Sequence, residues 1–251
     1  MTVTSRPYDV VFDDGRHPKG KLGFVLLATE QTVMDDVLSI CPDGVGVHIA
    51  RVDNPDSITN ASLAAIAPDL THAARTLLPD GSLDVVSYAC TSGSLVLGQE
   101  RVEELLSAGN PNAKPSSIIA AVIRALNAVG AKRVVVATPY LDEVNTAERE
   151  YIESRGFEVL EIQGLNLEKD SDMIRVAPEF IFEMALDLDQ PEADAIFISC
   201  GALRSVDIID ALEEKTGKPV ITSNQALAWD AMRLAGIEDR VEGFGRLLRD
   251  F

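Results

Sequence analysis

Short apolar runs recur along the chain, and most are followed by a stretch with helical spacing. Gly23–Ala28 reads Gly-Phe-Val-Leu-Leu-Ala, and Val45–Ala50, Asp84–Ala89, Arg133–Ala137, Glu158–Ile162, Ala195–Ser199 and Val220–Thr222 follow it. Brief, nearly continuous runs of Val, Ile, Leu and Phe read as strands buried on both faces of a parallel sheet. Helical spacing occupies Val33–Ile40 after a Thr29-Glu-Gln-Thr cap, and Leu63–Leu78 with Ser62 as cap and Pro68 as a break or kink. It returns in Pro115–Val129, Glu143–Arg155, Ala177–Leu188, Val206–Thr216 and Gln225–Gly236. Gly130, Gly156 and Gly217 stand just past three of these stretches, where a helix ordinarily stops.

Strands that alternate with helices predict an α/β fold, a parallel sheet with helices on both faces. One doubly wound sheet and two smaller sheets both accommodate the pattern. Repetition favours two. The succession from Gly23 to Cys90 recurs from Arg133 to Cys200 at a constant offset of 110 residues (133 − 23 and 200 − 90). The expectation is two similar lobes related by a pseudo-twofold axis, with a ligand cleft at the carboxyl ends of both sheets. Residues 20–114 with 225–251 form the first lobe, 115–224 the second, and 1–19 an N-terminal arm.

At 251 residues and 46% hydrophobic content, the chain can bury one large core or two small ones. Its formal charge of −18, from 40 acidic and 22 basic residues, repels phosphate backbones and disfavours nucleic-acid binding. No apolar run approaches the ~20 residues of a membrane span. The polar stretch 1–21 lacks the apolar segment of a signal peptide, so a cytoplasmic location is expected. Three cysteines match neither a zinc site nor a disulfide framework.

Two of those cysteines end strand-like runs inside small-residue, hydroxyl-rich turns: Ser87-Tyr-Ala-Cys90-Thr-Ser-Gly-Ser94 and Phe197-Ile-Ser-Cys200-Gly-Ala-Leu-Arg204. A thiol between a strand and a helix N-terminus is expected to be acidic, because the helix dipole and free N–H groups favour thiolate. The same N–H groups, at Gly201 and around Ser92, suit a substrate carboxylate. Cys41, in the turn Cys-Pro-Asp-Gly44, has no equivalent and reads as structural. His17, His48 and His72 fall in the arm, a strand and a helix, which argues against a Cys-His hydrolase.

Tyr88-Ala-Cys90-Thr-Ser-Gly-Ser94, Ser199-Cys200-Gly-Ala-Leu-Arg204 and Thr222-Ser-Asn-Gln-Ala-Leu-Ala-Trp229-Asp230 resemble the aspartate/glutamate racemase superfamily. Within it they look most like the branch of maleate cis-trans isomerase and arylmalonate decarboxylase, and the likeness runs from Leu22 onward. The resemblance implies catalysis without a cofactor or metal at a Cys90/Cys200 pair, a small carboxylic-acid substrate, and a homo-oligomer, dimer or tetramer. Racemases of the superfamily remove the α-proton with one thiolate and return one from the opposite thiol. Maleate isomerase adds its first cysteine to the double bond, and the branch's decarboxylases keep only the second cysteine. This chain keeps both.

By the same resemblance Tyr140 contacts substrate and Gln31 replaces a substrate-binding asparagine after the first strand. Asp170 replaces a second asparagine, which implies a substrate other than maleate, bearing an amine or amide. Thr91, Ser92, Ser94, Ser223 and Asn224 supply short donors, and Arg204 either adds positive charge near Cys200 or pairs with a surface acid. Three readings stay open: an isomerase or racemase, an arylmalonate-type decarboxylase using Cys200 with Trp229 and Phe197 as apolar walls, and a two-lobed binding protein.

Overall fold

A computed structural model describes residues 2–251. Eight strands build two parallel four-stranded sheets. The first holds β1 (Gly20–Leu27), β2 (Val45–Val52), β3 (Val85–Tyr88) and β4 (Lys114–Ser117), in the order β2-β1-β3-β4. The second holds β5 (Arg133–Thr138), β6 (Glu158–Gly164), β7 (Ala195–Ile198) and β8 (Val220–Thr222), in the order β6-β5-β7-β8. The two orders are identical once β1–β4 are mapped onto β5–β8, so the expected duplication is present. Helices flank both sheets.

Side chains of β1 alternate between two cores, as strand geometry requires. Leu22, Phe24 and Leu26 enter one with Val134 and Val136 of β5 and Phe197 of β7. Val25 and Leu27 enter the other with Val135 and Ile198. Each core therefore draws on both sheets. The Ile118–Ala128 and Ser223–Ala235 helices pack on one another, and the second of these also rests on β1, β3 and β4.

The structure departs from the sequence pattern at several places, one of them a helix over Gln99–Gly109 where none was predicted. Lys114–Ser117 is the edge strand β4, in register with Val85–Tyr88, so the predicted helix from Pro115 begins instead at Ile118. A Lys-Pro-Ser-Ser strand carries no apolar signal, and proline is tolerated there because only one edge of β4 is paired. Ser117 caps the helix that follows, accepting from the N–H of Ala120 at 3.3 Å. The stretch predicted as Leu63–Leu78 is two helices, Asn60–Ala64 and Ala67–Thr76, and Pro68 occupies the first turn of the second. Thr59 rather than Ser62 is the cap of the first, with Ser62 completing a capping box. Cys200 is followed not by a helix but by a turn and a short 3-10 segment, Val206–Ile208.

The polar arm, residues 2–16, is exposed and carries no helix or strand. No helix among the described residues is long and apolar enough to cross a membrane.

Candidate active site

Four side chains emerge just past the carboxyl ends of the central strands: Glu30 beyond β1, Cys90 beyond β3, Tyr140 beyond β5 and Cys200 beyond β7. Glu30 and Tyr140 share the 110-residue offset of the two cysteines (140 − 30 and 200 − 90). All four line one narrow, partly open pocket of about 20 Å³, with Ser92, Asp170, Gly201 and the apolar groups of Leu27, Ile58, Ala89, Met173 and Ala202. That volume holds about one water molecule.

A strap between the lobes borders the pocket. Ser57 bridges to Lys169, the N–H of Ile58 donates to the carbonyl of Glu168 at 2.9 Å, and the N–H of Asp170 donates to the carbonyl of Asp56 at 3.0 Å. The Asp56 carboxylate in turn accepts from the N–H and hydroxyl of Ser171 at 2.9 and 2.6 Å. These bonds hold Asp170, Ile58 and Met173 over the two thiols.

Cys90 opens the Thr91–Leu97 helix, and its Sγ accepts from the N–H of Gly93 at 3.3 Å. The Ser92 hydroxyl lies 3.6 Å from the same sulfur. Gly93 is required here: a Cβ would overlap the Tyr88 hydroxyl and fall 3.0 Å from Cys90 Sγ. Tyr88 is fully buried and its hydroxyl has no hydrogen-bond partner.

Cys200 has φ +97°, a region non-glycine residues seldom occupy. Such strain persists only where the surroundings impose it. The Cys200 N–H donates to Ser223 Oγ at 3.0 Å, and its Sγ accepts from the N–H of Ala202 at 3.4 Å. Gly201 is packed against Val33, where a Cβ would come within 2.9 Å of Cγ2. Asn224 donates to the Gly201 carbonyl at 2.9 Å and to Asp36 at 2.7 Å. Burial pushes Asp36 up to about 7.

The expected acidity of the thiols is not what the structure gives. Burial raises the pKa of both Cys90 and Cys200. At Cys90 the N–H of Gly93 and the Ser92 hydroxyl oppose the rise; at Cys200 the nearby Asp170 carboxylate adds to it, and the Tyr140 hydroxyl opposes it. Desolvation outweighs the few N–H groups, and at Cys200 no helix begins to supply a dipole. Cys41 is pushed up to about 12 by burial alone.

Of the residues singled out in the sequence, Cys90, Cys200, Ser92, Tyr140, Asp170 and Gly201 meet at the cavity. Gln31 does not: it is exposed in a separate depression with Asp35, Asp36 and Arg204. Glu30 takes the inward place because its carboxylate caps the Val33–Ile40 helix, accepting from the N–H of Thr32 and, at 2.6 Å, of Val33. Thr91 also turns away, its hydroxyl 3.1 Å from Ser223 Oγ, so Ser223 ties the two cysteine turns together. Ser94 is spent on the Cys90 carbonyl at 2.7 Å. Arg204 is exposed and donates to the carbonyl of Val176, bringing no charge to Cys200. Trp229 and Phe197 belong to the core, not the cavity wall.

Sequence reasoning missed Glu30, Glu148 and the bridging role of Ser223. The 110-residue register that aligns Tyr140 with position 30 was the available signal for Glu30. Glu148, on the Asp142–Ser154 helix, is fully buried and accepts from the Ser199 hydroxyl at 2.6 Å, beside Cys200. Burial pushes it up to about 7.

The arylmalonate decarboxylase (Amdase) family profile matches residues 31–248. The chain is 31% identical over 199 residues to the arylmalonate decarboxylase of Bordetella bronchiseptica, covering 76% of this chain and 81% of that protein. It is 29% identical over 180 residues to the maleate isomerase of Nocardia farcinica, covering 68% and 72% respectively. A solved cysteine-to-serine mutant of the Nocardia farcinica maleate cis-trans isomerase, with a covalently bound succinylcysteine intermediate, superposes with a TM-score of 0.84. It shares 25% identity, and the match covers 92% of this chain and 99% of that one.

Proposed function

Because the chain belongs to the arylmalonate decarboxylase (Amdase) family, we propose that it is an isomerase or racemase that acts on a small carboxylic acid through Cys90 and Cys200. The observation that carries this reading is that two thiols from equivalent turns of duplicated halves line one pocket. The relatives include enzymes named maleate isomerase, one of them seen with a sulfur-bound intermediate.

Two steps suit the pair, and both balance. In racemisation one cysteine, as thiolate, takes the α-proton, and the opposite thiol delivers its proton to the other face. In cis-trans isomerisation the Cys90 thiolate adds to one alkene carbon while the Cys200 thiol protonates the other. The new single bond rotates, the Cys200 thiolate removes the proton, and the C–S bond breaks. Neither step needs an electron acceptor or donor, so the reading includes no cofactor. The Tyr140 hydroxyl, which favours the Cys200 thiolate, assists whichever step requires that form. Ser92 and the Gly201 turn supply polar contacts beside the sulfurs.

The strap between Asp56–Ile58 and Glu168–Ser171 borders this narrow pocket, and in this reading it loosens as substrate enters. Closure then excludes water from the reacting carbon. The decarboxylase reading is weaker here, because Cys90 is present where the branch's decarboxylases lack a thiol and because Trp229 and Phe197 do not wall the cavity. A homo-oligomer, dimer or tetramer, by likeness to the superfamily, and a cytoplasmic location, from the polar stretch 1–21 and the unpaired cysteines, complete the proposal.

The test is a screen of small chiral and unsaturated carboxylic acids in deuterated water, followed by proton NMR. Racemisation is expected to wash out the α-hydrogen; addition and rotation convert the alkene with or without exchange. Conversion that continues undiminished after alkylation of both cavity thiols overturns the proposal.

A further inference from the structure

The cavity that holds the thiols also holds two carboxylates and no basic side chain. Its twelve lining residues include Glu30 and Asp170 but no lysine, arginine or histidine. Both acids are 5% exposed. Glu30 Oε1 accepts the two N–H groups of the helix start, whereas Oε2 is buried and has no partner at all. Asp170 Oδ2 accepts from the Thr29 hydroxyl at 2.6 Å, and Thr29 Oγ1 is held in turn by the Asn54 amide at 2.9 Å. Arg51, whose charge acts on Glu30, is exposed and gives its Nη1 to backbone carbonyls, those of Leu27 at 2.9 Å and Glu30 at 2.7 Å among them.

An unpartnered, buried carboxylate oxygen costs free energy that a proton, a donor or a cation relieves, and burial accordingly raises the pKa of both Glu30 and Asp170; an entering cation relieves the cost while leaving the charge in place. A dicarboxylate does the reverse, since it brings two further negative charges against Glu30 and Asp170 in a low-dielectric space. We propose that Glu30 and Asp170 form a cation-recognition pair, and that the substrate of this site is a small amino- or amidino-carboxylic acid rather than a dicarboxylic acid. The inference rests on the reading of Cys90 and Cys200 as the reaction centre and adds the substrate class to it. A bound cation also has a chemical consequence. Burial holds both thiols in the neutral form, with Asp170 contributing, and an ammonium or amidinium beside the carboxylates offsets that effect. The substrate thus helps to generate the thiolate that attacks it.

Isothermal titration of the full chain with charge-differing probes of matched size tests the pair. The probes are 2,3-diaminopropionate, 2,4-diaminobutyrate and ornithine, against maleate and succinate, with wild type, Glu30→Gln, Asp170→Asn and the double variant. Gln and Asn keep the acceptor oxygens for the Thr32 and Val33 N–H groups and the Thr29 hydroxyl, so the folds should melt together. At least one diamino acid is expected to bind wild type about tenfold or more tighter than either dicarboxylate. Each single variant should weaken that binding about tenfold, and the double variant should favour the dicarboxylates. Wild type that binds a dicarboxylate as tightly as every diamino acid overturns the proposal. So does failure of all three diamino acids to bind, or a preference unchanged in the double variant. The same titrations on Cys90→Ser separate the two readings. A variant that retains both turnover and the cation preference refutes the thiol chemistry and leaves the recognition pair standing.

Discussion

Glu148→Gln isolates the electrostatics beneath the Cys200 turn. The Glu148 carboxyl is fully buried, accepts one hydrogen bond from Ser199, and leaves Oε2 without a partner. Its pKa rises from 4.5 to about 7 because burial penalises the charged form. The folded protein therefore holds a proton at Glu148 across a window where the unfolded chain has released it. Stability from this group is fully present below pH 4.5 and is lost as pH rises through 7. A difference of about 2.5 units at about 1.36 kcal/mol each makes the loss about 3 kcal/mol. The amide that Glu148→Gln introduces has no proton to lose and can still accept from Ser199. The variant's stability relative to wild type should thus rise by about 3 kcal/mol between about pH 4.5 and pH 8, or roughly 6–12 °C in Tm for a chain of this size. Paired melting curves across that pH range give the answer, and the difference between proteins cancels the other buried acids. A Tm difference that stays constant throughout refutes the assignment of a neutral Glu148.

Three further perturbations probe the thiol turns. Tyr140→Phe removes the hydroxyl that favours the Cys200 thiolate; iodoacetamide labelling of Cys200 at about pH 8 should slow several-fold while Cys41 labelling is unchanged. Ser223→Ala removes the acceptor for the Cys200 N–H and the partner of Thr91, and should cost about 1–3 kcal/mol in urea unfolding. Gly93→Ala drives a methyl into the Tyr88 hydroxyl, and should cost about 1–3 kcal/mol and alter Cys90 labelling. A Gly93→Ala protein as stable as wild type would contradict the packing described for this turn.

The parallel strands were legible because their signal is local. Arg-Val-Val-Val-Ala at β5 has one physical reading, and the 110-residue register predicts both the duplicated topology and the shared cavity of Cys90 and Cys200. β4 was not legible, since Lys-Pro-Ser-Ser gains its place from pairing with β3 across a long loop rather than from its own composition. The inward residue after β1 was misassigned by one position. Both Glu30 and Gln31 can bond the helix start, and the choice between them is made by which side chain the cap turns inward. The acidity of the thiols failed for another reason: a turn sequence shows the N–H groups that favour thiolate, but not the burial that opposes it. The bond joining Thr91 to Ser223 spans 132 residues, and no local pattern predicts it.

Cys90 and Cys200 line one pocket, and the proposed chemistry has both sulfurs act on one substrate. Turnover of the acid found by the NMR screen, measured side by side for wild type, Cys90→Ser and Cys200→Ser with ligand binding recorded for each, addresses it most directly. Both variants should fold and bind, and each should lose about a thousandfold or more in kcat. Full turnover in either variant would contradict that chemistry.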